Sequence, residues 1–365
     1  MPAMAQTPAY SPEIQLGRWV TESLGTMDLP ARFGDRPLRL DVDGHIHIVF
    51  GGRQLIYAMF DGAAWFTGTV DVSAVRLSHA SLALDDQGHP HVSYFDEATQ
   101  ATMYAQLTES GWQTETIELL DGVAQDGSLV LDSTGAPHVS YTAVISEVSA
   151  AYYAHRTGGA WVVELVDNDT AGDIGAIGGP TSLVLDSQEY PHLVYAFNGI
   201  NTPRTGTAIR HAYWDGSQWQ IEIVGGHYAA YSQHLAIDAS DILHLGYAGT
   251  TGYYVPAVSY AVKSGDSWTV EVIEDTAWWY PGAAVALFEE QPLIAFLDYF
   301  SLRFAYKEQG AWHFSTVDTV TGNGLAIDVN QSGRPVILYT DNRDTRINIA
   351  RQIEPAWLFI PIAFQ

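Results

Sequence analysis

The stretch that decides the fold is Ser81-Leu82-Ala83-Leu84-Asp85, followed closely by Gly88-His89-Pro90-His91-Val92-Ser93-Tyr94. The first part recurs at residues 128–132 and 182–186, and the second recurs at residues 135–141. Looser copies of the first part lie at residues 38–41, 234–238, 284–287 and 324–328, and looser copies of the second at 189–195 and 241–247. The chain therefore carries one internal repeat in seven copies.

Tryptophan marks the same period. The repeat tryptophans are about 49 residues apart, which lies in the range of propeller-type repeats; they are Trp19, Trp65, Trp112, Trp161, Trp219, Trp268 and Trp312. Between them lie short runs rich in Val, Ile, Leu and Tyr, separated by Asp, Gly and Pro, and no segment has a sustained helical period. Such units are typical of four-stranded blades. The sequence predicts an all-β, seven-bladed β-propeller of antiparallel blades.

The two ends of the repeat region indicate how the ring closes. The seventh unit has three predicted strands at about residues 324–350 but no tryptophan strand after them. The strand at residues 18–22, which carries Trp19, precedes the first full blade. We predict that it completes blade seven as the outermost strand. The chain is divided into an N-terminal extension or signal-peptide remnant (1–17), the propeller (18–350) and a C-terminal tail (351–365).

Composition excludes several classes of function. Sixteen basic residues face 42 acidic ones, for a net charge of −26, so nucleic acid and anionic membrane surfaces are unfavourable partners. The absence of cysteine excludes disulfides and thiolate metal sites. No apolar run is long enough to span a bilayer. No metal site or cofactor is predicted; a calcium ion in the channel is left open, and a monomer is expected.

The repeats over residues 18–350 resemble the extracellular bacterial propellers called BNR-like or sialidase-like. The resemblance implies the architecture and not the chemistry, since the Asp-box S-x-D-x-G-x-T-W of sialidases is absent. Residues 215–219 match it only in part, and the sialidase arginine triad has no assignable positions. The tail resembles short C-terminal segments of secreted proteins from filamentous green bacteria. Together with Ala3-Met4-Ala5, which resembles a signal-peptidase site, it predicts a secreted or cell-surface protein.

Five histidines occupy one position of the repeat. A residue present in most blades at one strand position is interpreted as scaffold, hydrogen-bonded to the turn that holds the repeat aspartate. The histidines are His47, His91, His138, His192 and His244.

Function is expected where the repeat is broken, in loops on one face of the ring. The long connections of blades three to six carry aromatic side chains that suit stacking on sugar rings, the alternative being packing between loops. The predicted ligand-binding aromatics are Tyr228, Tyr231, Tyr253, Tyr254, Trp278, Trp279 and Tyr280. Arg303 and Arg343 are predicted to hold an acidic group of the ligand.

Carboxylates recur just after the second strand, at Asp96, Asp298 and Asp341. Two on one rim could perform the acid–base chemistry of glycoside hydrolysis, and the alternative is a turn-stabilising role. His79 and His227, with Tyr228 or Tyr254, offer a base and an acid for β-elimination on uronic acids.

The leading hypothesis is an exported propeller that binds an extracellular glycan or similar polymer through the aromatic loops of blades four to six. The alternative is a glycan-degrading enzyme, either a glycoside hydrolase or a polysaccharide lyase, that uses the same face. A third hypothesis is a protein-interaction scaffold at the cell surface. The sequence leaves open whether the protein is an enzyme.

Overall fold

The structure is a computed structural model that describes residues 17–26, 28–29, 33–119, 122–145, 148–168, 175–199, 207–225, 229–251, 255–275, 282–298, 300–322, 324–341 and 345–353. These residues form 28 strands in seven four-stranded antiparallel sheets, and no helix occurs among them. The predicted seven-bladed propeller is confirmed. The described part of the chain has no helix that is long and apolar enough to cross a membrane.

The blades are numbered in chain order. Their strands are β2 (Leu38–Leu40), β3 (Ile46–Gly51), β4 (Gln54–Phe60) and β5 (Trp65–Val72) in blade 1; β6 (Leu77–Leu84), β7 (Pro90–Asp96), β8 (Ala101–Thr108) and β9 (Gly111–Leu119) in blade 2; β10 (Gly122–Leu131), β11 (Pro137–Ile145), β12 (Val148–Thr157) and β13 (Ala160–Asn168) in blade 3; β14 (Gly175–Leu185), β15 (Pro191–Gly199), β16 (Thr207–Trp214) and β17 (Trp219–Ile223) in blade 4; β18 (Ala229–Ile237), β19 (Leu243–Thr251), β20 (Val255–Ser264) and β21 (Ser267–Asp275) in blade 5; β22 (Ala283–Phe288), β23 (Gln291–Asp298), β24 (Ser301–Glu308) and β25 (Ala311–Asp318) in blade 6; and β26 (Leu325–Val329), β27 (Pro335–Asp341), β28 (Arg346–Ile353) and β1 (Arg18–Thr26) in blade 7.

Blade 7 closes the ring as predicted. Strand β1 pairs with β28 in antiparallel register from Arg18 opposite Ile353 to Thr26 opposite Arg346. The Trp19 ring packs edge-on against Phe304 of blade 6, with 5.3 Å between ring centroids. Arg351 Nη2 donates to Glu22 Oε2 at 3.0 Å, so side chains also join the two ends of the chain. The predicted extension and tail lie outside the described residues, apart from Gly17 and residues 351–353.

The core is divided among the blade interfaces. Each of seven apolar clusters joins two neighbouring sheets, because inward-facing Leu, Ile, Val, Tyr and Ala alternate along the strands of both. The first strands of adjacent blades also contact one another around the whole ring, so they line its centre. The ring is a rigid frame whose strand ends present two faces.

The repeat histidines lie within this frame, as predicted. In blade 1, His47 Nε2 lies 3.3 Å from Asp41 Oδ2 of the turn, and His47 Nδ1 lies 2.6 Å from the Tyr57 hydroxyl on the third strand. Blades 2, 3 and 5 repeat the arrangement. Burial lowers the pKa of His47, so the neutral form is favoured. Each histidine links the first turn of its blade to the third strand.

The repeat tryptophans join one blade to the next. Trp112 packs edge-on against Tyr57 of blade 1, with the ring centroids 5.5 Å apart. Trp268 Nε1 donates to Glu222 of blade 4 at 2.8 Å, and Trp219 Nε1 donates to Glu164 of blade 3 at 3.1 Å. The acceptor stands three residues after the tryptophan of the preceding blade, so the motif W-x-x-E is a contact between blades.

Candidate functional site

The two faces of the ring differ in their connections. One face carries the turns between the first and second and between the third and fourth strands, and most of these are tight. The other carries the connections between the second and third strands and between successive blades; we call it the loop face. The connections after β17, β19 and β21 all belong to it, in neighbouring blades 4, 5 and 6.

Most of the predicted ligand-binding residues lie in connections of the loop face. Tyr228, Tyr253, Tyr254, Trp278, Trp279, Tyr280 and Arg343 lie outside the described residues, and so does the side chain of Tyr231, whose backbone belongs to β18. Their roles stay predictions.

The three predicted carboxylates share one structural position. Asp96, Asp298 and Asp341 are the last residues of β7, β23 and β27, at the loop face of blades 2, 6 and 7. Asp96 accepts hydrogen bonds from Ser73 Oγ at 2.6 Å, from Thr99 Oγ1 at 2.8 Å and from the Ala98 N–H at 3.0 Å. These bonds fit the turn-stabilising alternative at this position. Asp298 and Asp341 lie in adjacent blades, as the sequence indicated.

Arg303 extends from β24 towards the preceding blade. Its guanidinium forms an ion pair with Glu274 of blade 5 and lies 5.2 Å from the ring centroid of Phe314. Arg210 has the same arrangement in blade 4, with Nη1 2.7 Å from Asp167 Oδ2. Both side chains are mostly buried, so an acidic ligand at Arg303 would have to compete with Glu274.

Residues 33–36, called here the channel segment, cross the innermost strands. Phe33 forms a parallel bridge with Ala80 of blade 2, and the Gly34 N–H donates to the Ala80 carbonyl at 3.0 Å. A Cβ at Gly34 would lie 2.7 Å from that carbonyl oxygen, so only glycine fits. On the other side, the Phe33 ring lies against Gly324, which precedes blade 7. The segment therefore lies at the channel, in contact with the two blades that flank blade 1.

A buried charge pair fixes the channel segment. Asp35 Oδ2 accepts from Ser128 Oγ at 2.7 Å and Ser182 Oγ at 2.9 Å, and it lies 3.2 Å from Arg36 Nε. Arg36 Nη2 donates to the Leu235 carbonyl of blade 5. Burial lowers the pKa of Arg36 to about 10. The pair thus links blades 3, 4 and 5 at the centre of the ring, a role that the sequence analysis missed because residues 33–36 belong to no repeat.

His79 lies beside the channel segment. It is a residue of the innermost strand β6 with φ of 56°, in the left-handed region, at the irregularity of the β6–β7 register between Ser78 and Ser81. It lines a cavity of about 10 Å³ together with Ser93 and Thr102, large enough for about one water molecule. Unfavourable backbone conformations of this kind cluster at functional sites.

A shallow depression on the loop face between blades 1 and 2 carries two arginines. Arg53, Arg76, Glu97, Leu29, Ala74 and Val75 line it. The sequence predicted no role for Arg53 or Arg76, because both lie in short connections outside the repeat. The available signal was a pair of arginines outside the repeat in a strongly acidic chain.

No protein-family model and no curated protein matches the sequence. The fold is similar to that of a polysaccharide lyase described as a PL25 ulvan lyase, with a TM-score of 0.64, 10% identity and coverage of 93% of this chain and 96% of the other. It is also similar to the GH93 α-L-arabinofuranosidase of Fusarium graminearum (TM-score 0.50, 12% identity, 76% and 93% covered). A third similar fold is the SapL1 lectin in complex with α-methyl fucoside (TM-score 0.50, 12% identity, 80% and 97% covered).

At these identities the similarity concerns the fold alone. It agrees with the propeller architecture expected from the resemblance to BNR-like proteins, whereas none of the comparisons identifies that family. All three of these propellers are carbohydrate-active proteins: a lyase, a glycosidase and a lectin.

Proposed function

We propose that the protein binds a polysaccharide outside the cell, across the loop face of the ring. The observation that carries the proposal is that the strand ends joined by the aromatic connections after β17, β19 and β21 lie on one face, in neighbouring blades 4, 5 and 6. Flat Trp and Tyr side chains on a rigid frame suit stacking against sugar rings at a low entropic cost. The carbohydrate-active propellers of similar fold support the same class of ligand.

A panel of soluble polysaccharides, scored by affinity electrophoresis and calorimetry, tests this proposal. We expect Trp279→Ala to weaken binding roughly tenfold, the usual order for losing one stacked aromatic. Phe66→Ala is the matched control, because Phe66 is a 53% exposed aromatic residue on the outer strand β5, away from the loop face. Absence of binding to every polymer, or equal effects of the two substitutions, would reject the proposal.

The fold similarity to a polysaccharide lyase supports a second candidate of that class, with His79 as a candidate base. β-Elimination on a uronic acid needs a base to remove the C5 proton and an acid to protonate the leaving oxygen. His79 and His227, with Tyr228 or Tyr254, are residues of the required types. The product carries an unsaturated uronate, whose ultraviolet absorbance follows the reaction.

The variant His79→Asn separates binding from chemistry. Asparagine tolerates the left-handed conformation but offers no base, so we expect product release to cease while binding persists. If wild-type protein releases no unsaturated product, the lyase candidate is excluded. Loss of a saturated product in Asp298→Ala or Asp341→Ala would instead support a glycoside hydrolase.

A further inference from the structure

The depression between blades 1 and 2 is built from three segments of the loop face. The connection from β5 to β6 is fixed to the turn of blade 1, since the Ser73 N–H donates to the Arg53 carbonyl at 2.9 Å and the Leu77 N–H to the Gly52 carbonyl at 2.7 Å. The same connection is fixed to the turn of blade 2, because the Glu97 N–H donates to the Arg76 carbonyl at 3.0 Å. The backbones of both arginines are therefore held in place before any ligand arrives.

The depression carries two positive charges that are not paired with a described carboxylate. Among the residues that the structure describes, neither Arg53 nor Arg76 lies within ion-pair distance of a carboxylate. Other arginines and lysines do form such pairs, among them Arg36, Arg156, Arg210, Lys263, Arg303, Lys307 and Arg351. Both arginines line one depression of a chain that has 42 acidic residues.

Glu97, the carboxylate that also lines the depression, is hydrogen-bonded to the innermost strand. Glu97 Oε1 accepts from Ser78 Oγ at 3.3 Å, and Ser78 is a buried residue of the innermost strand β6. Asp96, the neighbouring carboxylate, is engaged by Ser73 and its own turn. The guanidinium groups thus remain accessible to an external anion.

We propose that Arg53 and Arg76 form a subsite for an oxyanion substituent, either a carboxylate or a sulfate ester, of an acidic polysaccharide. A guanidinium fork matches the geometry of such groups with two parallel hydrogen bonds. Leu29 and the 50% exposed Val75 offer an apolar surface beside it for the C–H face of the sugar. The inference rests on the proposed function, and it adds that the polymer is anionic in spite of the net charge of −26.

The experiment compares matched polymers on the full-length chain. The pairs are polygalacturonate against its carboxyl-reduced form, and a sulfated galactan against its desulfated form. The variants are Arg53→Gln, Arg76→Gln and the double variant. Arg18→Gln is the control, because Arg18 is an exposed arginine on the outermost strand β1 and its substitution removes one positive charge, as each single variant does.

We expect the double variant to lose roughly tenfold or more in affinity for the anionic member of one pair and to keep the affinity for its neutral counterpart. The pair that shows the loss identifies the carboxylate or the sulfate as the ligand group. An equal loss in Arg18→Gln, or an unchanged affinity in the double variant, would overturn the subsite while leaving the proposed function intact. Binding to none of the polymers would overturn both.

Discussion

His211 Nε2 lies 3.0 Å from His192 Nδ1, at the place where blades 1, 2, 3 and 5 have a tyrosine hydroxyl. The rings of the two histidines are stacked, with centroids 5.2 Å apart, and His211 Nδ1 lies 2.8 Å from Glu222 Oε1. Trp268 of blade 5 packs edge-on against His211, as Trp112, Trp161, Trp219 and Trp312 pack on tyrosine. Blade 4 therefore keeps the geometry of the repeat but has His211, a titratable residue, where blades 1, 2, 3 and 5 have a tyrosine.

We expect this pair to make the fold sensitive to acid. Burial lowers the pKa of His211 to about 4 from an ordinary value of 6.5, and it also lowers the pKa of His192. In the unfolded chain the His211 side chain gains a proton below about pH 6.5, whereas in the folded chain it stays neutral until about pH 4. The free energy of unfolding therefore falls as the pH is lowered through this window. The contribution is fully present above pH 6.5.

The variant His211→Tyr restores the residue type of the other blades and removes one titratable group. We expect the melting temperature of the variant to fall less than that of wild type between pH 6.5 and 4.5. His313→Gln, which removes an exposed histidine of β25, should leave the wild-type dependence unchanged. Identical pH profiles for His211→Tyr and wild type would contradict the assignment.

Glycine at position 68 interrupts the W-x-x-E contact. A Cβ at Gly68 would lie 3.9 Å from Trp112 Nε1, whereas other blades place a glutamate acceptor there. We expect Gly68→Glu to stabilise the protein by about 1 kcal/mol, since it adds an acceptor and restricts the unfolded chain. Gly62→Ala, at φ of 93°, should instead destabilise it. Urea unfolding measures both, and a less stable Gly68→Glu protein would refute the prediction.

Ring closure depends on the side chains of β1 as well as on its backbone pairing. Trp19→Ala removes the contact with Phe304 and the hydrogen bond from Trp19 Nε1 to Ser315 Oγ, so we expect a loss of about 2 kcal/mol. Thr21→Ala, at an exposed position of the same strand, should change the stability by less than about 0.5 kcal/mol. Thermal unfolding monitored by circular dichroism gives the comparison; similar melting temperatures would show that the Trp19 contact is dispensable.

The channel segment should be essential for stability. Asp35→Ala leaves the Arg36 charge buried without its partner and deprives Ser128 and Ser182 of an acceptor, so we expect a loss of about 3–5 kcal/mol. Asp35→Asn keeps the shape and one acceptor oxygen, and the loss should be smaller. Asp86→Asn, at an exposed turn, is the control. Equal free energies of unfolding for Asp35→Ala and Asp86→Asn, measured by chemical unfolding, would contradict this role.

Some side-chain contacts followed from the sequence and others did not. The contact of each repeat histidine with its turn aspartate was predictable, because both lie in one short hairpin of the repeat. The tyrosine partner on the third strand and the W-x-x-E contact between blades were not, since strand spacing alone does not specify which side chains meet across a register or an interface. For the predicted aromatic ligand residues, the fold shows only that the segments that contain them connect strand ends on the loop face.

The sequence by itself determined the number of blades, their strands and the closing strand. These features depend on contacts within a blade or between neighbours, which a repeat encodes in every copy. Only the tertiary structure decided which residues meet at the centre of the ring and that two arginines lie together on the loop face. Asp35 meets Ser128 and Ser182 across 93 and 147 residues, and Arg53 and Arg76 come together because two turns and a connection are hydrogen-bonded side by side. No periodic pattern records contacts that occur once.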